Sequence, residues 1–454
     1  MNHRQPSMIE GSIWKGLLSF AIPIFLGNLF QQLYNTADTL IVGNFIGKEA
    51  LAAVSSSGNL IFMLVGFLSG MAMGAGVLIS KYYGAGDQEK LQKAIHTDLA
   101  FAIAAGLLMT VVGVLLTPYI LRWMGTPDNV LPQSISYFRT YFFGCAALFL
   151  YNISTGILQA VGDSRHPLYY LITSSLINVV LDLLFVGVFR WGVASAAAAT
   201  AISQGVSAVL CLRRLVRTEE VYRVELRRIR LDWSMLGLIV RFGLPSGVQN
   251  SVIGFANVMV QANINAFGDS AMAGCGSYSK IEGFAFLPVT CFSMALATFV
   301  GQNLGAKHHE RVKQGARFGM ACSMLTAEFI GVVIWLAAPF FIGLFNNDPE
   351  VVAFGVRQAR IISPFYCLLA LNHCMAGILR GAGKATVPML IMMAIWCVVR
   401  VAYITIAVGI WENILVVFTA YPLTWSLSAV LFLIYYFKAD WLHTFDRLDA
   451  VKEP

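Results

Sequence analysis

Long apolar stretches, residues 101–116 and 415–437 among them, recur along the whole chain, each flanked by polar or basic residues. A helix that crosses a bilayer needs about 20 predominantly apolar residues. In lipid the backbone must satisfy its own hydrogen bonds, so helices are the economical way to build such a chain. Composition agrees: 57% of residues are hydrophobic and 12% charged, about half the charge of an ordinary soluble domain. Twelve spans are predicted, near 14–41, 50–80, 94–121, 134–160, 167–189, 193–212, 235–266, 272–300, 316–345, 353–379, 386–409 and 415–437. The expected fold class is all-α, a polytopic membrane protein. The first span is too long for a signal peptide and lacks a small-residue cleavage site.

The second half of the chain repeats the first at an offset of 221 residues. Gly156-Ile157-Leu158 recurs as Gly377-Ile378-Leu379, Gly162 as Gly383, Pro167 as Pro388, Arg139 as Arg360 and Gly84-Ala85 as Gly305-Ala306. Nearer the N-terminus the offset is 222, pairing Pro23 with Pro245, Asn28 with Asn250 and Asn35 with Asn257. A period this long excludes a solenoid and describes two pseudo-symmetric six-helix lobes, 1–212 and 234–438. A basic linker, 213–233, joins them, and 439–454 forms a tail. Substrate sites of transporters built this way lie at the repeat interface.

The basic residues set the expected orientation. With the N-terminus inside, 23 of the 31 Lys and Arg residues fall on the cytoplasmic side, seven of them in the linker, while the opposite loops hold only Lys48, Arg122 and Arg190. This is the positive-inside bias, and it places both termini in the cytoplasm. The net charge of +7 therefore reports topology, and no soluble basic domain exists to hold a nucleic acid. The linker is expected to lie on anionic lipid headgroups.

Several motifs fail on context. Arg380-Gly381-Ala382-Gly383-Lys384-Ala385-Thr386 resembles a nucleotide loop but lacks the earlier glycine and a preceding strand. Asn152-Ile153-Ser154 lies within a span and cannot accept a glycan. The eight cysteines are scattered without metal spacing and read as packing residues. No hydrolase or kinase signature occurs, so no enzymatic activity is expected. Gly66, Gly70, Gly74 and Gly76 form a small-residue stripe that predicts close helix packing.

Charges inside spans are costly and functional by default. Asp38, Asp182, Glu282 and Glu328 fall well inside, with Asp98 near an edge. Asn28, Gln31, Asn35 and Asp38 share one face of the first span, and Asn178 and Asp182 share one face of the fifth. Thr200, in the slim stretch 194–201, and Tyr137 complete a set that can converge. Carboxylates there can hold a proton through desolvation and mutual repulsion, or the oxygens of Asp38, Asn178, Asp182 and Thr200 can hold Na⁺ as hard ligands. The competing reading is a polar network that only ties helices together, but two acids without a nearby base make poor glue. The second lobe lacks this chemistry. It keeps Asn250, Asn257 and Gln261, but Val260 matches Asp38, while Val399 and Tyr403 match Asn178 and Asp182, with Arg400 beside them. Glu282, with Lys280 nearby, and Glu328 are secondary candidates, as ion-pair members or substrate-facing charges.

Two six-helix repeats, Pro23 within IPIFLGNLFQQLYNTADTLIVG, and GQNLGA at Gly301–Ala306 resemble the MATE (multidrug and toxic compound extrusion) transporters over essentially the whole chain. The set Asp38, Tyr137, Asn178, Asp182 and Thr200 is similar to the N-lobe cation site of the DinF-type members. The resemblance implies that Asp38 and Asp182 bind the coupling H⁺ or Na⁺ and that the first helix hinges at Pro23. The chain departs from the branch with essential acids in the C-terminal lobe, since the seventh span has none and the tenth carries Arg357 and Arg360. The resemblance also implies a monomeric antiporter in a bacterial-type plasma membrane, with no cofactor beyond the ion, exporting amphipathic, often cationic small molecules. Phe149, Tyr151, Phe284, Phe286, Met294 and Met375 are candidates for the substrate wall. Two alternatives stand beside it: a flippase for a lipid-linked saccharide, favoured by Arg357, Arg360, Arg400 and Lys280, and a non-transporting membrane scaffold.

Overall fold

A computed structural model describes residues 8–45, 48–123, 126, 128 and 130–450, without the side chains of 37–40, 42–45, 48–60, 62 and 448–450. Among the described residues there is no strand. The helices are α1 (Ile13–Phe45), α2 (Lys48–Ala85), α3 (Gln88–Trp123), α4 (Leu131–Phe143), α5 (Cys145–Ala160), α6 (Arg165–Asp182) and α7 (Val193–Arg217). They continue as α8 (Trp233–Asn265), α9 (Asp269–Gly305), α10 (His309–Gly343), α11 (Pro349–Ile362), α12 (Tyr366–Gly381), α13 (Thr386–Met392), α14 (Arg400–Trp411), α15 (Ile414–Lys438) and α16 (Thr444–Ala450).

Each predicted span corresponds to a helix or to a broken pair. Among the described residues ten segments are long and apolar enough to cross a membrane singly, and α4 with α5, bent by 45° at a break, makes an eleventh. The twelfth, α8, is diluted by Gln249, Asn250, Asn257 and Gln261. Two spans carry π-helical turns, Leu183–Val188 directly after Asp182 and Met393–Val399 directly before Arg400. Such turns break the regular hydrogen-bond ladder and are frequent at functional sites.

The chain forms two compact units, Ile22–Leu244 in one and Met1–Ala21 with Pro245–Pro454 in the other. The division falls inside α1 and α8, just ahead of Pro23 and at Pro245, the prolines inside those helices. Local contacts explain both assignments. The Arg311 guanidinium donates to the carbonyls of Met8, Glu10 and Gly11, and Asn303 Nδ2 donates to Met8 O at 3.0 Å, fastening the N-terminal segment to α9 and α10. At the other crossing, the start of α8 packs backbone to backbone on α2: a Cβ added to Gly74 would lie 2.1 Å from Gly243 Cα. This is the close approach that the glycine stripe predicts.

The linker is more than a polar connector. Gln92 Nε2 on α3 donates to Val221 O at 2.6 Å and Arg223 O at 3.1 Å, and His96 Nε2 accepts from Glu225 N at 3.1 Å. Tyr222 and Val224 are buried. Asp232 caps α8, accepting from Met235 N at 2.9 Å and the Ser234 hydroxyl at 2.8 Å, and these bonds hold its carboxyl below the usual range.

Gly74→Ala is expected to destabilise the protein by about 1–3 kcal/mol or more, because the added methyl meets backbone that cannot swing aside. Gly205→Ala, whose Cβ would meet only Ala147 Cβ at 4.0 Å, should be neutral or slightly stabilising. Thermal unfolding of both variants in one detergent checks the contrast.

Candidate functional site

In the unit Ile22–Leu244, α6 and α7 pack against each other and α4 packs on α7. A Cβ at Gly144, between α4 and α5, would lie 2.5 Å from Ala201 Cβ, so small residues on both sides let the bent span approach α7. Tyr137 is buried in a cluster with Ile41, Val186, Val193, Ala196 and Ala197, with Val179 and Tyr141 packed against it. With Ile61 of α2 also packed against it, the cluster draws on α1, α2, α4, α6 with its π-helical turn, and α7.

Asn178 and Asp182 are both fully buried on α6. Asn178 Nδ2 donates to Thr200 Oγ1 across a long 3.5 Å, and Thr200 in turn donates to Ala196 O at 3.1 Å. Asn178 Oδ1 is buried with no hydrogen-bond partner among the described residues. A buried carbonyl left this way costs about 1–3 kcal/mol, and it is one hard oxygen held ready for a ligand. The structure thus joins Asn178 to Thr200, buries Asp182 one helical turn along, and places Tyr137 on the wall. Asp38 lies on the helical backbone of α1, but its side chain is outside the described residues.

Two stripes continue beyond these residues. Asn178 faces Thr200, and Ser207 Oγ reaches Tyr170 O at 3.4 Å, so the antiparallel register sets Ser174 and Ser175 level with Ser203 and Gln204. Ser175 Oγ and Gln204 Oε1 are buried without hydrogen-bond partners among the described residues. Neither residue carries charge to draw notice in the sequence, yet both lie at helical spacing from the predicted site residues.

The remaining candidates disperse. Pro23 is buried inside α1, Gln31 is half-buried, and Asn35 and Asn257 are exposed. Gln261 donates to Asn265 Oδ1 at 2.8 Å. Phe149, Tyr151 and Met375 are buried in the helix packing, and Phe149 packs with Leu68, Phe138 and Phe142. Phe284 is exposed, Met294 is half-buried, and Phe286 meets the His373 ring edge to face. Glu328 accepts from Cys367 N at 3.1 Å, satisfying an amide at the start of α12.

The unit completed by Pro245–Pro454 holds a different buried network. Arg400 Nε and one terminal nitrogen donate to Thr424 Oγ1 at 3.0 and 2.9 Å, and its guanidinium stacks 4.5 Å from the Tyr421 ring and 5.3 Å from the Trp396 ring. Tyr278 OH donates to Glu282 Oε1 at 3.3 Å and pairs with Tyr366 OH at 2.8 Å. Arg380 is also buried, with one nitrogen 3.3 Å from Ser293 Oγ. Among the described residues no carboxylate comes within 4.0 Å of either guanidinium. Glu282, which the sequence leaves open between an ion pair and a substrate-facing charge, accepts a hydrogen bond from a tyrosine hydroxyl. Tyr421 and Thr424 lie three apart on α15, a spacing visible in the sequence, but nothing there assigns their partner.

The MatE family profile matches residues 23–184 and 245–406. Probable multidrug resistance protein YoeA of Bacillus subtilis is 30% identical over 434 residues, covering 94% of each chain. Probable multidrug resistance protein NorM of Thermotoga maritima is 27% identical over 85% of this chain and 83% of its own. A MOP superfamily transporter from Pyrococcus furiosus, described as having a binding pocket of reverse polarity, has the same fold at 21% identity. Its TM-score is 0.88, over 99% of this chain and all of its own.

Thr424→Val should destabilise the protein by about 1.5–3 kcal/mol, since Arg400 loses its hydroxyl acceptor in a buried site. Thr424→Ser should restore most of that stability. A thermal-shift comparison of the three proteins decides it.

Proposed function

Because this chain belongs to the MatE family of membrane transporters, we propose that it is a secondary antiporter. It exchanges H⁺ or Na⁺ for amphipathic, often cationic organic compounds by alternating access, with both termini in the cytoplasm. The observation that carries this reading is the buried group on α6 and α7: a wholly enclosed Asp182, and Asn178 with an unsatisfied carbonyl oxygen and a bond to Thr200. An intramembrane carboxylate beside unsatisfied oxygen has a strong reason to take up a cation. The relatives named for multidrug resistance support drug-like cargo. Coupling then requires that the bound ion favour the state that holds cargo weakly, because an ion with equal affinity for both states shifts nothing. Asp38 completes the pair of acids in this mechanism, and Pro23 supplies the point where α1 lacks a backbone donor.

Ethidium efflux from proteoliposomes under separately imposed H⁺ and Na⁺ gradients tests the reading. Asp182→Asn and Asp38→Asn should each abolish gradient-driven efflux while leaving the protein folded; efflux indifferent to both substitutions sinks it. Thr200→Val separates the ions. If Na⁺ couples, the variant should need about tenfold more Na⁺, the equivalent of about 1.4 kcal/mol; if H⁺ couples, efflux should stay nearly intact.

A second reading rests on the two buried guanidinium groups that have no carboxylate partner among the described residues. Arg400, stacked between aromatic rings, suits a substrate with an anionic group, as a flippase for a lipid-linked saccharide would require. Arg400→Gln should then depress transport of anionic dyes at least tenfold more than transport of ethidium. Equal loss for both dye classes removes this alternative.

A further inference from the structure

At the start of α10 and in the tail, one cluster among the described residues has no role in the exchange of ion for cargo. His309 opens α10, and His443 and Asp446 lie in the tail segment that leads into and forms α16. One ligand atom from each lies within 4.8 Å of the others. His309 Nε2 stands 3.9 Å from Asp446 Oδ2, too far for a hydrogen bond. The rings of His309 and His443 meet at right angles with centroids 4.8 Å apart. The three groups converge without satisfying one another.

A fourth residue orients the cluster. His443 Nδ1 lies 2.7 Å from Asp440 Oδ1, and Asp440 is also bonded to the Arg447 guanidinium. With Nδ1 engaged by a carboxylate, Nε2 is the nitrogen left to ligate, the arrangement that commonly orients metal-binding histidines. The tail does not depend on this cluster for its place. Trp441 and Phe445 are buried, and Trp441 Nε1 donates to Tyr436 O at 3.0 Å.

We propose that His309, His443 and Asp446 form a binding site for a borderline divalent transition ion, Zn²⁺ by preference, which clamps the tail to the start of α10. Two imidazoles and one carboxylate suit Zn²⁺, with a fourth position left for water, and are a poor set for Mg²⁺, which favours oxygen ligands and retains its own water. At metal–ligand distances of about 2.1 Å a tetrahedral ion holds its ligands about 3.4 Å apart. The cluster spreads to 4.8 Å at most, and side-chain rotation at half-exposed positions closes the difference. The clamp would tie residue 309 to residues 443 and 446 within one compact unit.

The test uses the full chain purified in detergent without a polyhistidine tag. Zn²⁺ uptake is measured by competition with a chromophoric chelator, and tryptic release of the tail is followed with and without the ion. Wild type should take up one more equivalent of Zn²⁺ than His309→Ala/His443→Ala, and Asp446→Asn should bind at least tenfold more weakly. Asp440→Ala should weaken binding about 10–100-fold through loss of ring orientation. Zn²⁺ should slow tail cleavage in wild type and leave the double variant unchanged, while excess Mg²⁺ should not displace it. An unchanged thermal transition in the double variant shows that it folds. Equal zinc stoichiometry and affinity in wild type and double variant, or ready displacement by Mg²⁺, overturns the proposal.

Discussion

The cost of an unsatisfied polar group where water is scarce governs this molecule more than any single contact. Apolar side chains have little to gain from one another in lipid, so helices associate through close backbone approach and hydrogen bonds. The touching glycines of α2 and α8, the alanine under Gly144, and the hydroxyls that fold back on their own helix carbonyls all follow from that condition. Polar groups left over are then informative. Asn178 Oδ1 and the paired stripes of α6 and α7 are tolerated in a chain that satisfies many of its other hydroxyls and amides locally.

The two units bury different polar networks. One buries a carboxylate beside neutral oxygens; the other buries guanidinium groups among aromatic faces and hydroxyls. The contrast lies within repeats that share their glycines and prolines, and it is sharpened by the π-helical turns. One turn follows Asp182 and the other precedes Arg400, so the helical register is reset on opposite sides of these two buried side chains. The same scaffold therefore presents groups of different sign at related positions of the repeat.

Much of this is legible in the residues themselves. The apolar runs locate the spans, because length and hydropathy are read locally, and the 221-residue offset relates the two halves. Asp182, Asn178 and Arg400 stand out because charge and amide are rare inside such runs. The partners are harder to foresee. Thr424 and Tyr421 are common membrane residues, and only the packing of α15 against the Arg400 helix gives them meaning. Phe149, Tyr151 and Met375 have the chemistry of wall residues, but aromatic and thioether side chains serve equally well as filling. The linker is only half legible: its seven arginines suggest headgroups, while Gln92 and His96, which hold its backbone, give no local sign of doing so.

The placement of the unit boundaries within α1 and α8 has a consequence for how the chain can be divided. Cutting in the linker, where the repeats meet, would not release two self-sufficient halves. The first fragment would keep residues 8–21, whose Met8, Glu10 and Gly11 carbonyls are held by α9 and α10, and would lack 233–244, which pack on its own α2. Each half would carry a piece of the other's core as an unsatisfied end. The two repeats are similar in sequence, yet the boundaries of the compact units do not coincide with the boundaries of the repeats.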